Sequence, residues 1–76
     1  MKVVFYTTEG CGICEDVLDL LFNEPKLAGL ELVSREIADD AELVARFGET
    51  LPVLEKGGAV LHSPFTINDV LEWIET

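Results

Sequence analysis

The stretch Thr7-Thr8-Glu9-Gly10-Cys11-Gly12-Ile13-Cys14-Glu15-Asp16 holds both cysteines of the chain, with two residues between them. Upstream lies an apolar run, Val3-Val4-Phe5-Tyr6, which reads as a buried strand. Downstream, Cys14, Val17, Leu18, Leu21 and Phe22 fall at i, i+3, i+4, i+7 and i+8, the spacing of one helix face. The Cys-x-x-Cys therefore sits where a strand turns into a helix. A helix N-terminus carries about +0.5 of a charge and free N–H groups, both of which favour a thiolate over a thiol.

The same spacing separates the cysteines by role. Cys14 lies on the apolar stripe and is expected beneath the helix. Cys11 precedes the stripe, at or next to the N-cap, and is expected to face solvent. An exposed thiol there can attack, and a buried neighbour one turn on can resolve what the first has captured. Cys11 and Cys14 are thus the candidate catalytic pair. Two cysteines placed at random on such a chain fall three apart only about one time in forty, which argues against coincidence. A structural pair and half of a metal site are the alternatives. Zinc takes four ligands, and His62 is the only histidine, so no metal ligand is assigned.

Seventy-six residues make one small domain, spanning 1–76. At 49% hydrophobic and 8% aromatic residues the chain is globular rather than disordered. No signal peptide or long apolar span is recognisable, so a reducing cytoplasm is the expected compartment. There a close cysteine pair is more often redox-active than a staple. A formal net charge of −10 argues against nucleic acid and anionic membranes as partners. It also disfavours small anionic ligands. A monomer kept soluble by its acidic surface is the expectation.

The rest of the chain follows in short elements. Lys2 to Thr7 is a central strand covered on both faces. Gly10 gives the loop freedom before Cys11, and the first helix runs from about Cys11 to Phe22, ended by Asn23 and Pro25. Residues 30–37 mix apolar and charged side chains, as an edge strand does. Asp39 or Asp40 can cap a second helix with Leu43, Val44 and Phe47 on its apolar face and Gly48 at C′. Leu51 to Glu55 is a third strand, Lys56-Gly57-Gly58 a turn, and Ala59 to Leu61 a fourth. Thr66 with Asp69 resembles a capping box for a third helix facing inward through Ile67, Val70, Leu71 and Ile74. The order is βαβαββα, an α/β fold with a mixed four-stranded sheet flanked by helices. Strands joined through a helix are expected to be parallel, and the last two to form an antiparallel hairpin.

This order, over essentially the whole chain, resembles the thioredoxin fold, and within it the glutaredoxin-like group. Thr7-x-x-Gly10-Cys11-Gly12-Ile13-Cys14-Glu15 is similar to the active-site segment of short bacterial glutaredoxin-like proteins. Glu49-Thr50-Leu51-Pro52-Val53-Leu54 is similar to the family segment in which a cis-proline opens the third strand beside the cysteines. The resemblance implies a cis Pro52, a Leu51 backbone available to an extended substrate chain, and substrate contacts at Gly12, Ile13, Leu51 and Pro52. It implies thiol–disulfide exchange with no cofactor beyond the cysteines. Glutathione is disfavoured, because the usual basic residue before the cysteines is absent. The Gly-Gly pair before the last helix is also replaced, by Ser63-Pro64-Phe65-Thr66. The expected partner is a protein disulfide or a protein reductant. A binding module that no longer turns over and a metal or iron–sulfur carrier are the alternatives.

Single residues sharpen the picture. Tyr6 is expected in the core, His62 exposed and inert, and Trp73 in packing. Arg46 suits either a ligand carboxylate or its own helix C-terminus. Arg35 guards an edge strand. Two fields oppose each other at a Cys11 thiolate: the helix N-terminus stabilises it, while Glu9, Glu15 and Asp16 do not. The expectation is a modestly activated thiolate and a reducing pair.

Overall fold

The structure is a computed structural model and describes residues 1–75. Its elements are β1 (Lys2–Thr7), α1 (Gly12–Phe22), β2 (Glu31–Glu36), α2 (Ala41–Phe47), β3 (Val53–Lys56), β4 (Ala59–His62) and α3 (Ile67–Ile74). A 3₁₀ turn, Pro25–Leu27, follows α1. The strands form one mixed sheet in the order β2-β1-β3-β4. β1 pairs parallel with β2, so that Thr7 stands beside Glu36. β1 pairs antiparallel with β3, and β3 with β4. The apolar run is central, as expected, and the charged strand lies at the edge.

One topological expectation is corrected. β1–α1–β2 is the parallel unit its connection implies, but β2–α2–β3 is not. α2 has seven residues and is about 10 Å long, against about 20 Å for a six-residue strand. It is too short to carry the chain back to the starting end. β3 therefore leaves from the end that β2 reached and runs the other way. As a result the β1–α1, β2–α2, α2–β3 and β4–α3 connections all meet at one end of the sheet, the cysteine end.

The pleat of β1 divides the core. Val3 and Phe5 face one side, where they pack with Cys14, Leu21, Leu27, Leu54 and Val70 under α1 and α3. Tyr6 faces the other, with Ile37, Phe47 and Val53. Several boundaries and faces differ from the sequence reading. β3 begins at Val53, two residues late, and takes in Lys56. The turn is then Gly57-Gly58 alone, with φ of +54° and +92°, a left-handed pair that glycine adopts without strain. Of the two candidates Asp39 and Asp40, it is Asp40 that caps α2, accepting from the Glu42 and Leu43 N–H groups. Phe22 and Val44 are exposed rather than inward. Each sits at the rim of its helix's stripe, where 3.6-residue periodicity alone does not say how far the core extends. Gly48 is the C-cap in right-handed conformation, not a left-handed C′ residue. What excludes a side chain there is close approach, since a Cβ would lie 2.5 Å from the Val44 carbonyl oxygen.

Candidate active site

Cys11 is the N-cap of α1, and its Sγ accepts a hydrogen bond from the Cys14 N–H at 3.2 Å. A sulfur thus takes the place of the usual capping oxygen. Cys11 and Cys14 are joined in a disulfide, with Cα atoms 5.3 Å apart. Cys14 is 2% exposed, beneath the helix as its spacing requires. Cys11 is half-buried rather than fully exposed, because it also packs against the larger core cluster. Gly12 is exposed as the first residue of α1, and Ile13 projects from it with 60% of its surface in solvent. No residue of α1 is basic, and Glu15 stands in its first turn.

The loop before the cysteines is held from below. Gly10 has φ +83°, a left-handed residue that lets the chain turn into the helix. Glu36, at the end of β2, accepts the Glu9 N–H on one carboxylate oxygen at 2.8 Å and the Ala38 N–H on the other at 2.9 Å. The Ala38 N–H, then the Thr8 hydroxyl and the Glu9 N–H, hold this carboxyl below its ordinary range. Glu36 therefore ties the loop of one strand to the turn after its neighbour. No pattern within either segment announces this bond, because it exists only once Thr7 and Glu36 come into register. A groove of about 400 Å³ opens beside the loop, with Phe5, Cys14 and Leu18 in its floor and Glu9, Glu15 and Glu36 at its rim.

On the other side of Cys11 lies the α2–β3 connection. Pro52 is fully buried and Leu51 half-buried; Leu51, like Cys11, packs against the larger cluster. The Leu51–Pro52 peptide is cis, and so is Ser63–Pro64, for which the sequence reading had no expectation. Thr66 and Asp69 form a full capping box. The Asp69 N–H donates to the Thr66 hydroxyl at 3.1 Å, and the Thr66 N–H to the Asp69 carboxylate at 2.8 Å. The N-terminus of α3 thus arrives with its own carboxylate in place.

The remaining candidates fall outside the cysteine pair. Tyr6 is in the smaller core cluster, and its hydroxyl donates to Glu55 at 2.7 Å. Burial, and then that carboxylate, push its pKa up. His62 is exposed, with Nδ1 2.9 Å from the Thr50 hydroxyl. The Arg46 guanidinium lies over the Phe47 ring, 4.7 Å from its centre. Arg35 pairs with Asp39 and Asp40 and also donates to the Glu36 carbonyl. Trp73 packs against the larger cluster. Among the described residues no three His, Cys, Asp or Glu side chains converge as a metal-ligand set. No helix among them is long and apolar enough to cross a membrane.

Comparisons with known proteins agree with this geometry. The chain is similar to a structural-genomics target protein from X. campestris, with 26% identity and a TM-score of 0.82 over 96% of this chain and 95% of that one. It is similar in fold to thioredoxin 1 from Thermosipho africanus, with 17% identity and a TM-score of 0.69 over 99% of this chain and 91% of that one. No curated protein matches it. The family model described as "Glutaredoxin-like domain (DUF836)" matches residues 2–75. With that match over nearly its whole length, the chain belongs to the glutaredoxin-like domain family of the thioredoxin fold.

Proposed function

We propose that this protein is a thiol–disulfide oxidoreductase that works through Cys11 and Cys14 on a protein disulfide, with a protein dithiol as its reductant. The observation that carries the reading is the pairing of a partly exposed N-cap cysteine with a 2%-exposed cysteine one turn into the same helix. In the reduced protein the Cys11 thiolate attacks one sulfur of the substrate disulfide. That bond breaks, the second substrate sulfur leaves as a thiolate, and a mixed disulfide forms on Cys11. The Cys14 thiolate then attacks the Cys11 sulfur, closing the Cys11–Cys14 bond and releasing the first substrate sulfur. Two electrons and two protons pass to the substrate, and the protein dithiol returns them. The Cys14 N–H that bonds Cys11 Sγ would also bond its thiolate. Gly12 and Ile13 lie beside the attacked sulfur, and the backbone of Leu51, with Pro52 buried behind it, offers an edge for the substrate chain.

Glutathione is a poor candidate for this site. It approaches as an anion, and Glu9 and Glu15 stand within about one screening length of Cys11. A helix N-terminus attracts anions, but at α3 the Asp69 carboxylate already occupies it. Pro64 has no N–H to donate, and Arg46 lies over Phe47. Each absent charge-assisted contact is worth about 1.5–3 kcal/mol. The test is Cys14→Ser in a cell extract. A mixed disulfide should accumulate on Cys11 with protein partners. Reduction of a glutathione mixed disulfide as fast as a protein disulfide would overturn the choice of substrate, and a Cys11 that captures no disulfide would overturn the activity.

A further inference from the structure

We propose that the outer flank of α1 from Ile13 to Leu20 is the docking surface for the partner, and that the segment it takes is basic and apolar. The inference rests on the thiol-exchange reading and adds to it the class of protein substrate: one whose disulfide is flanked by Lys or Arg and aliphatic side chains.

Residues seven apart on a helix lie within about 20° of each other. Ile13 and Leu20 therefore share one flank, with Val17 half-buried beneath and Asp16 between them. Ile13 is 60% exposed and Leu20 58%. The helix already buries Cys14 and Leu21, so these two side chains add nothing to the core. The flank begins two residues from Cys11. A chain whose sulfur is joined to Cys11 has this surface next to it. Ile13 and Leu20 are separated by about 10 Å along the axis, which about three extended residues span.

Charge decides what fits. Asp16 and Asp19 line the outer side of the apolar pair, and α1 carries no cation to offset them. The cations elsewhere are engaged or distant. Arg35 pairs with Asp39 and Asp40, and Arg46 lies over Phe47. Lys56 donates to the carbonyls of Trp73 and Ile74. Lys2 lies at the end of the sheet away from the cysteines; Lys26, in the turn that follows α1, is the one exception and sits towards the Leu20 end of the flank rather than the cysteine end. A second copy of this chain would set Asp16 and Asp19 against their own kind, with a charge of −10 on each molecule. An anionic membrane meets the same repulsion. A segment alternating Lys or Arg with aliphatic residues complements both the stripe and its acidic side.

The test uses the reduced protein and three peptides, each bearing one cysteine in a disulfide with the same small neutral thiol. Their flanks are Lys and Leu, Ser and Gly, or Glu and Leu. At low salt the basic peptide should react about tenfold faster than the neutral one and the acidic peptide slower, with the spread collapsing at high salt. Leu20→Ser and Asp16→Asn should each slow the basic peptide about threefold. Phe22→Ser, which removes an exposed apolar residue from the far side of the buried stripe, should leave that rate unchanged. Far-ultraviolet circular dichroism establishes that each variant is folded. Equal rates for the basic and neutral peptides would overturn the docking surface, as would equal damage from Phe22→Ser. So would a dimer in sedimentation that Leu20→Ser dissociates. Failure of all three peptides to react would overturn the thiol-exchange reading itself, a different result from equal reaction of all three.

Discussion

On one face of the sheet Val3, Phe5 and Leu54 pack with Cys14, Leu21, Leu27 and Val70 beneath two helices. On the other, Tyr6, Ile37, Phe47 and Val53 pack around the seven-residue α2 alone. Both faces start from alternate residues of the same strands, so the difference lies in what covers them. The thick face includes the buried cysteine as one of its core members. The thin face leads into the α2–β3 connection, whose Leu51 packs against both clusters. Stability and the geometry of the cysteines are therefore coupled on one side of the sheet and largely separable on the other.

Three substitutions test that asymmetry, in falling order of effect. Phe5→Ala empties the centre of the thick face, where Phe5 is 1% exposed. It should cost about 3–5 kcal/mol, a large part of what so small a domain has, and lower the urea midpoint accordingly. Phe47→Ala, at 2% exposure on the thin face, should cost about 3 kcal/mol. It should leave the alkylation rate of reduced Cys11 unchanged, whereas Phe5→Ala should alter it; equal effects on that rate would break the comparison. Thr66→Ala removes the cap of α3 and should cost about 1 kcal/mol, seen as faster amide exchange in the first turn of that helix. Loss of protection in α2 instead would mean that the two faces are not separable.

The smallest effects are pH-dependent and differ in sign between faces. Tyr6 on the thin face has a raised pKa, so the folded state holds its proton more tightly than the unfolded chain. Its contribution is complete below the ordinary tyrosine value and is lost as pH rises past it. Urea midpoints should fall above about pH 10, less steeply in Tyr6→Phe. Glu36 at the cysteine loop has a lowered pKa, so its contribution is present above the ordinary glutamate value and is lost as pH falls through the folded one. Glu36→Gln should flatten the acid limb of the same curve.

The sequence made the thick face legible and the thin one much less so. Cys14, Val17, Leu18 and Leu21 repeat at helical spacing over an eleven-residue helix, long enough for the period to find the inward face, though not its limit, since Phe22 on the same stripe is exposed. α2 has only two turns, and with so few positions Val44 looks as inward as Leu43. The direction of β3 was hidden for the same reason, since it depends on how far α2 carries the chain rather than on any residue in β3. At the candidate site, the order of burial of the two cysteines could be read from spacing. The Glu36 bridge and the Asp69 carboxylate at the head of α3 depend on partners brought together by register and capping. Asp69 was visible as half of a capping box, but its consequence for an approaching anion needs the closed hydrogen bonds.

Because α2 turns back early, the end of the sheet opposite the cysteines carries the 3₁₀ turn after α1, the Gly57-Gly58 hairpin tip and the end of α3. That arrangement gives the molecule a place to be held. Lys56 fastens the hairpin to the end of α3, while the two glycines beyond it are exposed and have open space where side chains would stand. A fluorophore, a surface tether or a short inserted tag at this tip would sit away from the thiols, at the kind of site where chains accept insertions best. Single-molecule force or resonance-transfer measurements could grip the protein there while its cysteines meet their partners unhindered.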